Sequence, residues 1–146
     1  MKLPSGKSVN SSTPIYNNSA FTWGEATKNC TRKLENLIID SKLILSAEQI
    51  ESNIIKCAQQ LDLYRAALGG RPIIVNSWYR PVAVNNSVGG AKWSQHLCGL
   101  AADIRSNYYH SHKIYQLLDL AHYGGLGRYF SFVHVDLGKN RRWIVS

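Results

Sequence analysis

The stretch from Ala47 to Leu68 constrains this chain more than any other. Ser46 with Gln49 three residues on is a capping box, so a helix starts there. Ile50, Ile54, Cys57, Leu61, Tyr64 and Leu68 then recur at spacings of four and three and draw one apolar stripe. Gly69-Gly70 ends the helix and Pro72 cannot continue it. A helix this long with a single apolar face must cover that face, and 146 residues offer one domain in which to do so. The remaining signals are short. Ile73 to Trp78, Leu100 to Ile104 and Phe132 to Leu137 read as strands, and Arg142 to Val145 as a weaker one. A second helix fits Ser111 to Tyr123, where Ile114, Leu117, Leu118 and Ala121 share a face and Gly124-Gly125 follows. Gly138-Lys139-Asn140 between the last two strands suggests a hairpin. This order predicts a single α+β domain, a mostly antiparallel sheet with helices packed on it.

Residues 1–20 are rich in Ser, Asn, Thr and Pro and read as an extended N-terminal arm with little to bury, which leaves 21–146 as the domain. Thr22 and Glu25 form another capping box. From Tyr79 to Ser94 periodicity is lost among Pro81, Asn85, Asn86, Gly89 and Gly90, and a loop of that length is usually functional. The formal charge of +8 suits an anionic partner: nucleic acid, an acidic membrane surface or a cell-wall polymer. No zinc-finger, RRM-type or Arg-rich segment supports nucleic acid. The cluster Lys139-Asn140-Arg141-Arg142 reads as a solvated turn or as a contact with an anionic surface. No apolar run reaches the ~18 residues of a membrane span. Met1 to Pro14 lacks the apolar core of a standard secretory signal. Cys30, Cys57 and Cys98 have no Cys-x-x-Cys spacing and read as reduced, packed thiols.

Strand alternation gives Phe132-Val133-His134-Val135-Asp136 its meaning. Val133, Val135 and Leu137 face one way, towards the core, while Phe132, His134 and Asp136 share the other face. His96 and Asp103 flank the start of the preceding strand. His96, Asp103 and His134 together could supply the three protein ligands of a zinc site with an open position, or each could be a satisfied structural residue. Arg80, directly after a strand, could polarise a carbonyl or hold a carboxylate, or form a surface salt bridge. His110 and His112 read as exposed residues at a helix start, and His122 as structural.

Four blocks in order carry a family resemblance: Ser77-Trp78-Tyr79-Arg80; Asn85 through Val88-Gly89-Gly90-Ala91; Ser94-x-His96-x-x-Gly99-x-Ala101-x-Asp103-Ile104; and Gly124-Gly125-x-Gly127-x-Tyr129 with Phe132-Val133-His134-Val135-Asp136. Together they resemble the zinc D-Ala-D-Ala carboxypeptidase family, whose relatives include vancomycin-resistance D,D-dipeptidases, phage L-Ala-D-Glu endolysins and the hedgehog zinc domain. The resemblance covers about Ile73 to Trp143. It implies a hedgehog/D,D-peptidase-like zinc site held by His96, Asp103 and His134. It also implies that Arg80 contacts the scissile carbonyl or a substrate carboxylate. The function it implies is that of a zinc metallopeptidase acting on a peptidoglycan stem peptide, with D-Ala-D-Ala carboxypeptidase action foremost. The alternatives are L-Ala-D-Glu endopeptidase action of the endolysin type, or a non-catalytic zinc module that binds a wall or a protein. The partner is then wall peptide and not nucleic acid, the chain is expected to be a monomer, and it acts from the cytoplasm or as a phage-released or virion-carried protein.

The sequence departs from many members at one position. They carry Asp or Glu three residues before the last histidine, where this chain has Ser131. Asp136 is the substitute general base by strand geometry, or else a carboxylate that orients a metal ligand. Ser94 and Gln95 are expected to line the substrate groove or to shape the loop.

Overall fold

The computed structural model describes residues 1–145. In chain order the elements are α1 (Trp23–Ala26), β1 (Leu37–Ile39), β2 (Lys42–Leu45), α2 (Ala47–Ala67), β3 (Ile74–Ser77), α3 (Val82–Ser87), a short 3-10 turn (Gln95–Cys98), β4 (Ala101–Arg105), α4 (Ser111–Asp119), β5 (Gly125–Arg128), β6 (Val133–Asp136) and β7 (Arg141–Ile144). β1 and β2 form a small antiparallel ribbon, and the other strands form one sheet in the order β3-β4-β6-β5-β7. Every neighbouring pair in that sheet is antiparallel except β5 and β7.

The long helix forms as its caps direct. Ser46 Oγ accepts the Gln49 N–H and the Gln49 side chain returns to the Ser46 N–H. Its stripe of Ile50, Ile54, Cys57, Ala58, Leu61 and Tyr64 is buried in one core with Ala102, Ile104, Leu126, Val133 and Val135 of the sheet and Ile114 and Leu118 of α4. Each large apolar side chain buried there contributes about 1.5–3 kcal/mol.

Four expectations change. The last two strands are not a hairpin. β6 lies inside the sheet with β4 on one edge and β5 on the other, so β7 takes the free edge of β5 and runs parallel to it. The N-terminal residues are not an unburied arm. Leu3, Val9 and Ile15 join the core. Asp62 on α2 ties the segment down by accepting from Tyr16 Oη at 2.5 Å, Ser19 Oγ at 2.6 Å and the Ala20 N–H at 2.9 Å. The Tyr79–Ser94 stretch contains α3, whose Asn85 donates Nδ2–H to Ala91 O at 2.9 Å and so folds the loop back on itself. Finally, α4 stops at Asp119, because His122 turns inward.

His122 is a bolt between the helix layer and the sheet. Its Nε2 lies 3.0 Å from Gly125 O and 2.9 Å from Asp136 O. Carbonyls only accept, so Nε2 carries the proton and Nδ1 accepts from the Tyr64 hydroxyl of α2. Burial pushes the His122 pKa below its ordinary value. His122→Ala, which strands both carbonyls, is expected to cost about 2–4 kcal/mol in urea unfolding. Tyr64→Phe, which removes one hydroxyl, is expected to cost about 1 kcal/mol.

Candidate metal centre

The spacing from Ser94 to Asp103 has local causes. Ser94 caps the 3-10 turn, its Oγ accepting the His96 N–H at 3.2 Å. Gly99 closes that turn at a φ of 77°. A Cβ there would lie 2.7 Å from Ile54 Cγ1 on α2, so only glycine satisfies both the backbone and the helix beneath it. Trp78 Nε1–H to Gly99 O and Asn53 Nδ2–H to Cys98 O, both 3.0 Å, seat the turn. The chain then enters β4, where Asp103 is paired with Ser77 of β3 on one side and His134 of β6 on the other. His134 in turn faces Gly127 of β5, and Gly127 faces Trp143 of β7. One cross-strand row thus spans the sheet.

His96 Nε2 lies 3.3 Å from Asp103 Oδ1, and His134 Nδ1 lies 2.9 Å from the same oxygen. One ligand atom from each of these residues falls within 4.8 Å of the others. The far nitrogens are already committed. His96 Nδ1 donates to Trp78 O at 2.7 Å, and His134 Nε2 meets Asp136 Oδ2 at 2.7 Å. These bonds turn His96 Nε2 and His134 Nδ1 towards Asp103, the positions from which each nitrogen would hold an ion once it gives up the proton it shares with that carboxylate. Two imidazole nitrogens and a carboxylate at the floor of an open cleft fit zinc, with room for a further ligand. Burial alone would raise the Asp103 pKa, but hydrogen bonds from His134 and His96 hold its carboxyl well below the usual carboxylate range.

The cleft measures about 660 Å³, and Arg80, Ser94 and Gln95 line it with the triad. Arg80 is fixed at two points. Its backbone N–H donates to His96 O at 3.0 Å and its Nε–H to Ser77 Oγ at 3.1 Å. Its Nη2 stands 3.6 Å from Asp103 Oδ2.

Asp136 does not present the geometry of a general base. It lies on the His134 side of β6 but is only 1% exposed, because the Gly138 turn and Arg141 cover it. Its oxygens accept from His134 Nε2, from the N–H groups of Gly125 at 3.0 Å and Gly138 at 2.9 Å, and from Arg141 at 2.8 and 3.2 Å. Burial opposes its charge, yet those donors hold its pKa well below the ordinary value. This is the environment of a carboxylate that orients an imidazole, here that of His134. The Lys139–Arg142 cluster is likewise no free turn: Arg141 grips Asp136, and Arg142 bonds Asp119 at 2.6 Å and His122 O at 2.6 Å.

Ser131 is exposed and lines a different hollow with Arg105 and Phe130. His110 and His112 stack on each other at the start of α4, away from the triad. Sequence reasoning quoted Tyr129 only within a family block and gave neither it nor Trp143 a role, yet both line the cleft. Alternation along β5 could have placed Tyr129 on the Gly127 face, whereas Trp143 gave no signal until its parallel partner was known.

Comparison with known proteins came from two directions. The profile of the family described as Peptidase M15 matches residues 16–136. A zinc D-Ala-D-Ala carboxypeptidase of Streptomyces albus G is 40% identical over 60 residues. Those residues are 41% of this chain and 24% of that protein, so the match spans about a quarter of the relative's length.

The geometry separates two roles for Asp136 by experiment. Wild type is expected to hold about one zinc per chain, and His96→Ala or His134→Ala to lose it. Asp136→Asn is expected to weaken zinc 10- to 100-fold, or about that, in chelator competition. A residue acting only as a base would leave that affinity unchanged.

Proposed function

The chain belongs to the peptidase M15 family, and from that premise we propose that it is a zinc-dependent metallopeptidase hydrolysing peptidoglycan stem peptides, with D,D-carboxypeptidase action on terminal D-Ala-D-Ala. The observation that carries this reading is the His96, Asp103 and His134 set at the floor of an open cleft with Arg80 fixed beside it. The partial identity to a zinc D-Ala-D-Ala carboxypeptidase supports the choice of bond.

In this proposal the protein contributes orientation and charge. His96, Asp103 and His134 hold the zinc. When bound, such an ion supplies activation of water near neutral pH and polarisation of a carbonyl. Asp136 fixes the tautomer and tilt of His134, and Trp78 O does the same for His96. Arg80, held by Ser77, presents a guanidinium that receives the scissile carbonyl oxygen or a substrate carboxylate. Ser94 and Gln95 border the path of the peptide. The protein acts as a monomer, and its excess of cations suits an anionic wall rather than nucleic acid.

One observation favours a second reading, a zinc module that binds wall peptide without cleaving it. Among the residues that line the cleft, Asp103 is the only carboxylate, and it belongs to the metal set. Zinc-loaded protein incubated with defined muropeptides, with and without chelator, decides between the two. Loss of one D-Ala, abolished by chelator and restored by zinc, is the expected result. Cleavage after L-Ala would place the enzyme with the endopeptidases, and binding without any product would establish the module. Arg80→Ala is expected to lower turnover about 10²- to 10³-fold. Arg80→Lys is expected to recover little of it, because an ammonium lacks the planar fork.

A further inference from the structure

The row Ser77, Asp103, His134, Gly127 and Trp143 crosses the sheet from edge to edge. Arg80 stands at the Ser77 end, and the proposed function uses nothing at the other end. There, Gly127 leaves a gap that Trp143 fills. A Cβ on Gly127 would lie 2.2 Å from Trp143 Cε2, so the indole lies over the β5 backbone. It reaches as far as His134, with ring centres 5.2 Å apart. Its Nε1–H donates to the Tyr129 hydroxyl at 3.0 Å. Tyr129 is two residues beyond Gly127, on the same side of the strand, and its ring stacks on Phe132 at 4.4 Å and 8°. Tyr129, Phe132 and Trp143 line the same cleft as the triad.

These contacts fix what the hydroxyl can do. Indole N–H is a donor only, so it occupies an oxygen lone pair and cannot take the phenol proton. Among the described residues the hydroxyl's one hydrogen-bond partner is that indole donor, which leaves its proton for an acceptor outside the protein. The result is an O–H donor lining the same cleft as the triad, oriented by the Trp143 hydrogen bond and by stacking on Phe132.

We propose that Tyr129 is a substrate-binding residue whose hydroxyl donates to a carbonyl or carboxylate oxygen of the bound peptide, on the side of the triad opposite Arg80. Trp143 is the positioning residue that aims it. The inference rests on the peptidase reading and extends it: the peptide lies across the strands, held by Arg80 at one end and Tyr129 at the other.

The test uses zinc-loaded wild type, Tyr129→Phe and Trp143→Phe. Calorimetry measures affinity for a stem pentapeptide whose terminal amide is replaced by a methylene-amine, and steady-state kinetics use the cleavable peptide. Tyr129→Phe is expected to weaken binding and raise KM by about 3- to 10-fold, the loss of one neutral hydrogen bond, with kcat within about twofold and zinc content unchanged. Trp143→Phe is expected to move both in the same direction by less. A Tyr129→Phe protein with wild-type affinity and KM, or with reduced kcat at wild-type KM, overturns the assignment of Tyr129 alone. A wild type that neither binds nor cleaves these peptides overturns the peptidase reading and this one with it.

Discussion

The pairing of Asp103 with His134 across β4 and β6 is the constraint on which everything else depends. Side chains alternate along a strand, so a slip of one residue would turn either ligand into the core. The opposite face prevents that slip. Ala102 and Ile104 on β4 and Val133 and Val135 on β6 are all at most 2% exposed beneath the helices. Shifting the register would expose those four apolar side chains and bury an imidazole and a carboxylate in their place, a change costing several kcal/mol. The candidate metal set is therefore placed by apolar burial on the far side of the same strands.

Asp136 is the second point of dependence. A carboxylate with almost no exposure is costly unless fully paired, and here the turn, the neighbouring strand, a ligand and Arg141 each give it a donor. That set of bonds explains the glycine before Leu126. A Cβ on Gly125 would lie 2.3 Å from Asp136 Oδ2, in the space the carboxylate occupies. It also explains part of the basic excess, since Arg141 and Arg142 secure the strand ends. A charge cluster that reads from sequence as a solvated turn is, in the fold, an anchor of the site.

What was legible in the sequence divides along physical lines. Capping boxes and the α2 stripe depend on contacts within a few residues, and they appear in the structure as expected. The position of β7 depends on which strand edge is free, and that is settled only when the sheet order is known. β5 is Gly125-Leu126-Gly127-Arg128, and its glycines hide the strand pattern while making room for Asp136 and Trp143. Residues 1–20 have a polar composition, yet Leu3, Val9 and Ile15 at intervals of six suffice to bind the segment to the core. Alternation correctly placed Asp136 on the His134 side of β6. It could not show that Gly138 and Arg141 would fold over the carboxylate and exclude water from it.

The electrostatics of the cleft argue for the kind of ligand it takes. Arg80, Lys139 and Arg141 line it against one carboxylate, Asp103. Arg141 is neutralised by Asp136 from behind, while Arg80 approaches Asp103 from the side. A divalent ion held by the triad would more than offset the charge of Asp103 and would leave Arg80 and Lys139 without full compensation. A cleft with low-dielectric aromatic walls strengthens such a field. Trp93, Tyr129, Phe132 and Trp143 form those walls. A neutral peptide segment would leave the field unanswered, whereas a segment ending in or bearing a carboxylate would meet it. On the proposed reading, the positive sign of the whole chain, which suits an anionic polymer, recurs at close range in a cleft suited to a carboxylate-bearing peptide.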